Sequence, residues 1–145
     1  MPKLTNSQTE YLDRLPTVKF KTCPIEVTIK ILGKKWALLI LRDIALLKIN
    51  RFNQIRRSLP GLTPRVLIMR LHELEECGVI QAIVIKDTPR VVKWSLTEKG
   101  KDTVPILLST MSFGAKWYAQ DVFEDSRARS IEQIYADAPP SPRKR

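Results

Sequence analysis

The chain has 145 residues, with 25 Lys and Arg against 15 Asp and Glu, a formal charge of +10, and 43% hydrophobic and 28% charged residues. That is one domain's worth of chain, too apolar for disorder, and its longest apolar run, the six residues Trp36 to Leu41, falls far short of the ~20 that span a bilayer. Two cysteines 54 positions apart and one histidine, His72, make neither a disulfide framework nor a zinc spacing, so no metal and no cofactor is expected, while the excess positive charge asks for a polyanionic partner.

Nothing at the N-terminus has the charged-then-apolar pattern of an export signal, which leads to the expectation of a cytoplasmic chain with no membrane partner. Residues 1–22 are polar and mixed, with a short amphipathic piece around Tyr11, Leu12 and Leu15 that stops before Pro16. They form an extension whose expected role is an interface arm. A first core helix opens at Pro24, since proline suits a first helical turn, and closes at Gly33. From Lys35 to about Leu47, the residues Trp36, Leu39, Ile40, Ile44 and Leu47 recur at helical spacing. Asn53 is placed to cap a short third helix, Gln54 to Leu59, which Pro60-Gly61 ends. Thr63 then caps a fourth helix with Pro64 at its first position, running to Cys77 before Gly78 breaks it.

After Gly78 the apolar period changes from 3.6 to 2. Val79 to Lys86 and Val91 to Leu96 read as two strands joined by the turn Asp87-Thr88-Pro89-Arg90. From Thr97, an N-cap, a single long helix is expected to reach Val122 or Phe123, kinked at Pro105. Its stripe of Val104, Leu107 or Leu108, Met111, Ala115, Tyr118 and Val122 exceeds what a small core needs, and a second copy of the chain would cover it. Residues 124–145 read as a polar basic tail, partly disordered and ending Pro139-Pro140-Ser141-Pro142-Arg143-Lys144-Arg145.

The charge is uneven. Ile44 to His72 holds Lys48, Arg51, Arg56, Arg57, Arg65 and Arg70 with no acid. Such a zone suits phosphate, a solvated basic face being the alternative. Two short helices joined by Pro60-Gly61-Leu62-Thr63 and followed by a hairpin make the order of a winged helix-turn-helix, in which the second helix enters the major groove of double-stranded DNA. The fold class expected is therefore mainly α with a small β-hairpin wing. On the fourth helix Leu67, Leu71 and Leu74 share one side, while Arg65, Met69, His72 and Glu76 lie opposite and Ile68 sits at the margin. An ordinary amphipathic helix in a basic protein has the same pattern.

Together these blocks resemble the HxlR-type transcriptional regulators, a winged-helix group related to the MarR type. The resemblance rests on Cys23-Pro24-Ile25-Glu26, Gly33-Lys34-Lys35-Trp36, Leu38-Leu39-Ile40-Leu41-Arg42, Arg51-Phe52 and Arg56-Arg57. It continues through Leu59-Pro60-Gly61-Leu62, Thr63-Pro64-Arg65-Val66-Leu67, Arg70-Leu71, Glu73-Leu74-Glu75-Glu76, Gly78, Ser95-Leu96-Thr97-Glu98-Lys99-Gly100 and Pro105. It implies a domain over residues 23–123 and a homodimer whose interface is built by the first core helix and the C-terminal helices. It also implies sequence-specific regulation of transcription.

On that footing Thr63, Pro64, Arg65, Ile68, Met69 and His72 are the expected major-groove residues. Arg51, Arg56, Arg57, Arg70 and the wing residues Lys86, Arg90 and Lys93 are the expected backbone contacts. Ile68 and Met69 depart from the small polar or amide residues usual in the family. Either they touch thymine methyl groups or one of them is buried. In the wing, aligning Trp94 with the family's aromatic puts Val91 where an arginine is usual and Arg90 one residue earlier, which reverses its side-chain direction along a strand.

Cys23 stands just before a helix start, near Lys19, Lys21 and Lys30, a setting that favours the thiolate. Some similar regulators sense oxidants or electrophiles through a cysteine here, and others carry it without redox behaviour, so Cys23 is a candidate redox sensor or a structural cap. Cys77 reads as a small buried side chain, with an intersubunit bond to Cys23 left for geometry to judge. No glycine-rich phosphate loop or orienting third group supports an enzyme. The rival function is an architectural DNA-coating protein with little sequence preference. The small-molecule effector, if there is one, is not legible.

Overall fold

The architecture comes from a computed structural model in which residues 3–136 are described, so the expected terminal run Pro139–Arg145 lies outside the described residues. The chain forms two compact units, one of Phe20–Leu107 and one drawn from Met1–Lys19 and Leu108–Arg145.

The first unit carries the winged helix-turn-helix. Its helices are α2 (Pro24–Leu32), α3 (Ala37–Ala45), α4 (Phe52–Ser58) and α5 (Pro64–Glu76), numbered after α1 (Asn6–Leu12) of the other unit. Strands β1 (Ile80–Asp87) and β2 (Arg90–Leu96) follow as an antiparallel pair, then α6 (Glu98–Lys101) and the start of α7 (Val104–Trp117). Apolar residues at helical spacing build the core: Ala37, Ile40, Leu41 and Ile44 from α3, and Leu67, Leu71 and Leu74 from α5. Ile55, Leu59, Leu62, Val79 and Ile80 complete it. The hairpin is tied back by the Trp94 amide, which donates to the Asn50 carbonyl at 2.8 Å, and by Trp94 and Leu96 packed on the core.

Local chemistry sets most boundaries. Pro24 opens α2, and Pro64 opens α5 behind Thr63, whose Oγ1 accepts the Val66 amide at 3.2 Å. Gly61 and Gly78, at φ 90° and 78°, turn the chain before and after α5 in a region other residues avoid. The expected start of α4 is corrected: Arg51 is its N-cap, without a side-chain hydrogen bond, and Asn53 lies inside the helix. Phe52 packs against the core, and that contact draws the helix start forward past the better capping residue.

The expected continuous helix from Thr97 is corrected as well. Thr97 does cap a helix, its Oγ1 accepting the Gly100 amide at 3.0 Å, but α6 ends after Lys101. Thr103 is buried, and its hydroxyl donates to the Gly100 carbonyl at 2.6 Å, closing a turn between α6 and α7. Pro105 therefore falls at the second position of a new helix, where its missing N–H costs nothing, instead of kinking an old one. Gly100 lies so close to the residue before β1 that an added Cβ would stand 1.9 Å from the Val79 carbonyl oxygen.

In the second unit α7 gives way at Tyr118 to α8 (Ala119–Val122), and α9 (Ile131–Tyr135) follows. The described part of the expected tail is thus locally ordered: Arg129 pairs with Asp125 and stacks 4.5 Å over the Phe123 ring. Ser130 and Gln133 form a capping box at the start of α9. Among the described residues no helix is long and apolar enough to cross a membrane.

Candidate nucleic-acid interface

The α4–α5 pair presents two opposed faces. Leu67, Leu71 and Leu74 hold α5 against the core, which leaves the other side of the same helix to solvent. On that side stand Arg65, Ile68 (59% exposed), Met69 (45% exposed) and His72, preceded by exposed Thr63 and Pro64 at the helix start. Ile68 and Met69 are both exposed, so burial does not explain either of them. His72 Nε2 stands 3.4 Å from Glu76 one turn on. Acids Glu73, Glu75 and Glu76 gather in the C-terminal half of α5 and a base opens it. The N-terminal half, at the positive end of the helix dipole, is therefore the end suited to a polyanion.

On α4, Arg51, Arg56 and Arg57 are exposed, and Arg57 Nε donates to the Asn53 carbonyl at 3.2 Å. Asn53, Arg56 and Arg57 line a shallow open depression. In the hairpin, Lys86 and Arg90 are exposed near the turn, with Lys86 paired to Val91 and Arg90 to Asp87. A bulge between Val84 and Lys86 shifts the register there, leaving Ile85 as the extra residue. Lys93, opposite Ile83, is half-buried.

Arg70 is a correction. Expected among the backbone contacts, it is 16% exposed and turned to the protein: its Nε donates to the Lys35 carbonyl at 2.8 Å and its Nη1 pairs with Glu73 at 3.2 Å. Position 70 lies beside the leucine row, so the side chain meets the α2–α3 turn rather than open solvent.

Cys23 is exposed and is the N-cap residue of α2, where its side chain makes no capping hydrogen bond. Cys77 is half-buried, with its thiol directed to the Leu74 carbonyl at 3.4 Å. It shares the lining of a cavity of about 360 Å³ with Lys30, Lys34, Arg70 and Glu73.

Three features escape a reading of the sequence. Asp43 is fully buried in α3, with Oδ1 accepting Arg42 Nε and Nη2 at 3.0 and 2.8 Å and Oδ2 without a hydrogen-bond partner among the described residues. Its one sequence signal is an acid interrupting an apolar helical row. Trp36 takes a left-handed backbone at φ 79°, which nothing in its residue type announces. Ile83, Val84 and Ile85 form an exposed apolar strip on β1, where alternation would have turned some of them inward.

Comparison with known proteins covers the winged helix-turn-helix and the C-terminal helices α7 and α8. A family model described as HxlR-like helix-turn-helix matches residues 31–122. The chain is 40% identical over 98 residues to the HTH-type transcriptional regulator YdeP of Bacillus subtilis, which covers 68% of this chain and 76% of YdeP. Among solved structures, the redox regulator HypR in its reduced form is similar at 34% identity and a TM-score of 0.59, covering 71% of this chain and 99% of that one. The reduced form of the transcriptional regulator YodB from B. subtilis is similar at 30% identity and a TM-score of 0.54, covering 66% and 94%.

Proposed function

The chain belongs to the HxlR-like helix-turn-helix family of transcriptional regulators, and on that premise we propose that it binds double-stranded DNA sequence-specifically as a homodimer. The observation that carries the proposal is the solvent-facing row of α5, Arg65, Ile68, Met69 and His72, set opposite a buried leucine row and flanked by exposed arginines on α4. Thr63, Pro64, Arg65, Ile68, Met69 and His72 address base edges in the major groove. Arg65 is the side chain among them with bidentate donors, and Ile68 and Met69 suit thymine methyl groups. Arg51, Arg56, Arg57, Lys86, Arg90 and Lys93 take phosphates, which fix register without reading sequence.

Pairing of two copies is supported by exposed apolar side chains: Ile25, Val27 and Ile29 on α2, and Phe113, Trp117 and Val122 in the C-terminal helices. A two-fold dimer requires a pseudo-palindromic site with half-sites about one helical turn, ~34–36 Å, apart. Selection from a random-sequence duplex pool tests this. A two-fold symmetric motif with that spacing is the expected result. No enrichment, with uniform footprints that vanish as salt rises, would instead favour the DNA-coating protein, a function to which the apolar Ile68 and Met69 lend some support.

A response to thiol oxidants or electrophiles through Cys23 is part of the same proposal. Support comes from its exposure at the start of α2 and from the likeness to HypR, a redox regulator. A mild thiol oxidant is expected to change the affinity of the wild-type protein for the selected duplex. An equal response in Cys23→Ser would remove Cys23 from the role.

A further inference from the structure

The α2–α3 turn is held against the recognition helix by polar contacts that span 35 residues of sequence. Arg70, in the second turn of α5, donates through Nε to the Lys35 carbonyl at 2.8 Å. Glu73, one turn further on, accepts Lys34 Nζ at 3.0 Å and Arg70 Nη1 at 3.2 Å. The carboxylate thus joins the two cations, and the guanidinium joins the carboxylate to a backbone carbonyl. Arg70 and Glu73 are 16% and 29% exposed, so theirs is not the freely solvated surface pair that contributes little, while the more exposed Lys34 adds a second contact to the carboxylate.

The same turn reaches the other end of the helix-turn-helix. The Trp36 indole lies over the α4–α5 turn, with Cη2 3.7 Å from where a side chain on Gly61 would begin. Trp36 occupies the left-handed region at φ 79°, a strained backbone that persists where its surroundings over-determine it. The residues on either side supply that over-determination: the Lys35 carbonyl is gripped by Arg70, and the Trp36 ring is seated by the turn before α5.

We infer that Arg70 is a positioning residue, and that with Glu73 and Lys34 it forms a joint fixing the angle at which α5 meets DNA. This inference rests on the DNA-binding function proposed above. Two properties separate it from a phosphate-contacting role. A phosphate contact needs only a positive charge, whereas the joint needs a planar fork that reaches two acceptors at once. A phosphate contact also adds to the salt dependence of binding, and the joint does not.

The test uses full-length Arg70→Lys and Arg70→Gln, the duplex that the wild-type protein enriches from a random pool, and a mixed-sequence duplex. Both variants are expected to lose about tenfold in affinity for the selected duplex. Their affinity for the mixed-sequence duplex and the slope of log K against log salt should stay unchanged. The amide resonances of Lys35, Trp36 and Gly61 should shift in both, measured without DNA. Near wild-type affinity in Arg70→Lys, with a slope lowered by about one in Arg70→Gln, would overturn the inference in favour of a phosphate contact. Unmoved resonances at Lys35, Trp36 and Gly61 would overturn it whatever the DNA arm gives. Failure of the wild-type protein to enrich any sequence would refute the sequence-specific function proposed above, with the resonances still deciding whether the joint exists.

Discussion

Ile68 and Met69 occupy the part of α5 where a hydrogen-bonding side chain would be the simplest reader of DNA, and both are in solvent. An apolar side chain there recognises the methyl group of thymine or nothing. Replacing thymine by uracil at the contacted step removes one methyl group, worth ~0.8 kcal/mol, or about fourfold in affinity. The wild-type protein should show that loss in a binding titration, and Ile68→Ala or Met69→Ala should be indifferent to the exchange at the matching step. A second residue-scale expectation concerns Asp125. Hydrogen bonds from the Arg129 guanidinium and the Arg127 amide hold its carboxyl well below the usual carboxylate range. Because its pKa is depressed, the contact is complete at neutral pH and fades only as pH falls through that lowered value. Arg129→Ala should bring the carboxyl back toward its ordinary 3.8, read by an NMR titration of Asp125.

At the scale of elements, α5 was legible because each signal in it is local. A threonine cap, a proline at the first turn and leucines at 67, 71 and 74 agree on one helix with one buried face. The start of α4 and the break between α6 and α7 were not, because tertiary contacts decide both. Phe52 enters the core, and Gly100 packs against the Val79 carbonyl while Thr103 turns inward. Periodicity sees none of this, and the apolar stripe from Val104 to Val122 likewise runs unbroken across the later break at Tyr118. Gly100→Ala forces its Cβ to within 1.9 Å of a backbone oxygen that has no flexible end to yield. We expect it to cost about 2–3 kcal/mol in chemical denaturation, as overpacking in a tight site does. The site was legible to a similar degree: the outward row of α5 follows from helical spacing, whereas the inward role of Arg70 depends on a carbonyl 35 residues away.

Over the whole molecule, the formal charge of +10 matters less than its placement. The acid-free stretch from Ile44 to His72 runs from the end of α3 through α4 and the following turn into α5, so its exposed arginines flank the row proposed to read bases. Charge of this kind attracts any DNA and weakens with salt, while the α5 row is proposed to discriminate among sequences. The two contributions separate in one measurement: affinities for the selected duplex and for a scrambled duplex of equal length, titrated from low to physiological salt. Sequence-specific regulation predicts that both weaken as salt rises while the selected duplex stays at least ~10³-fold tighter at physiological salt. Equal affinities that disappear together would contradict it.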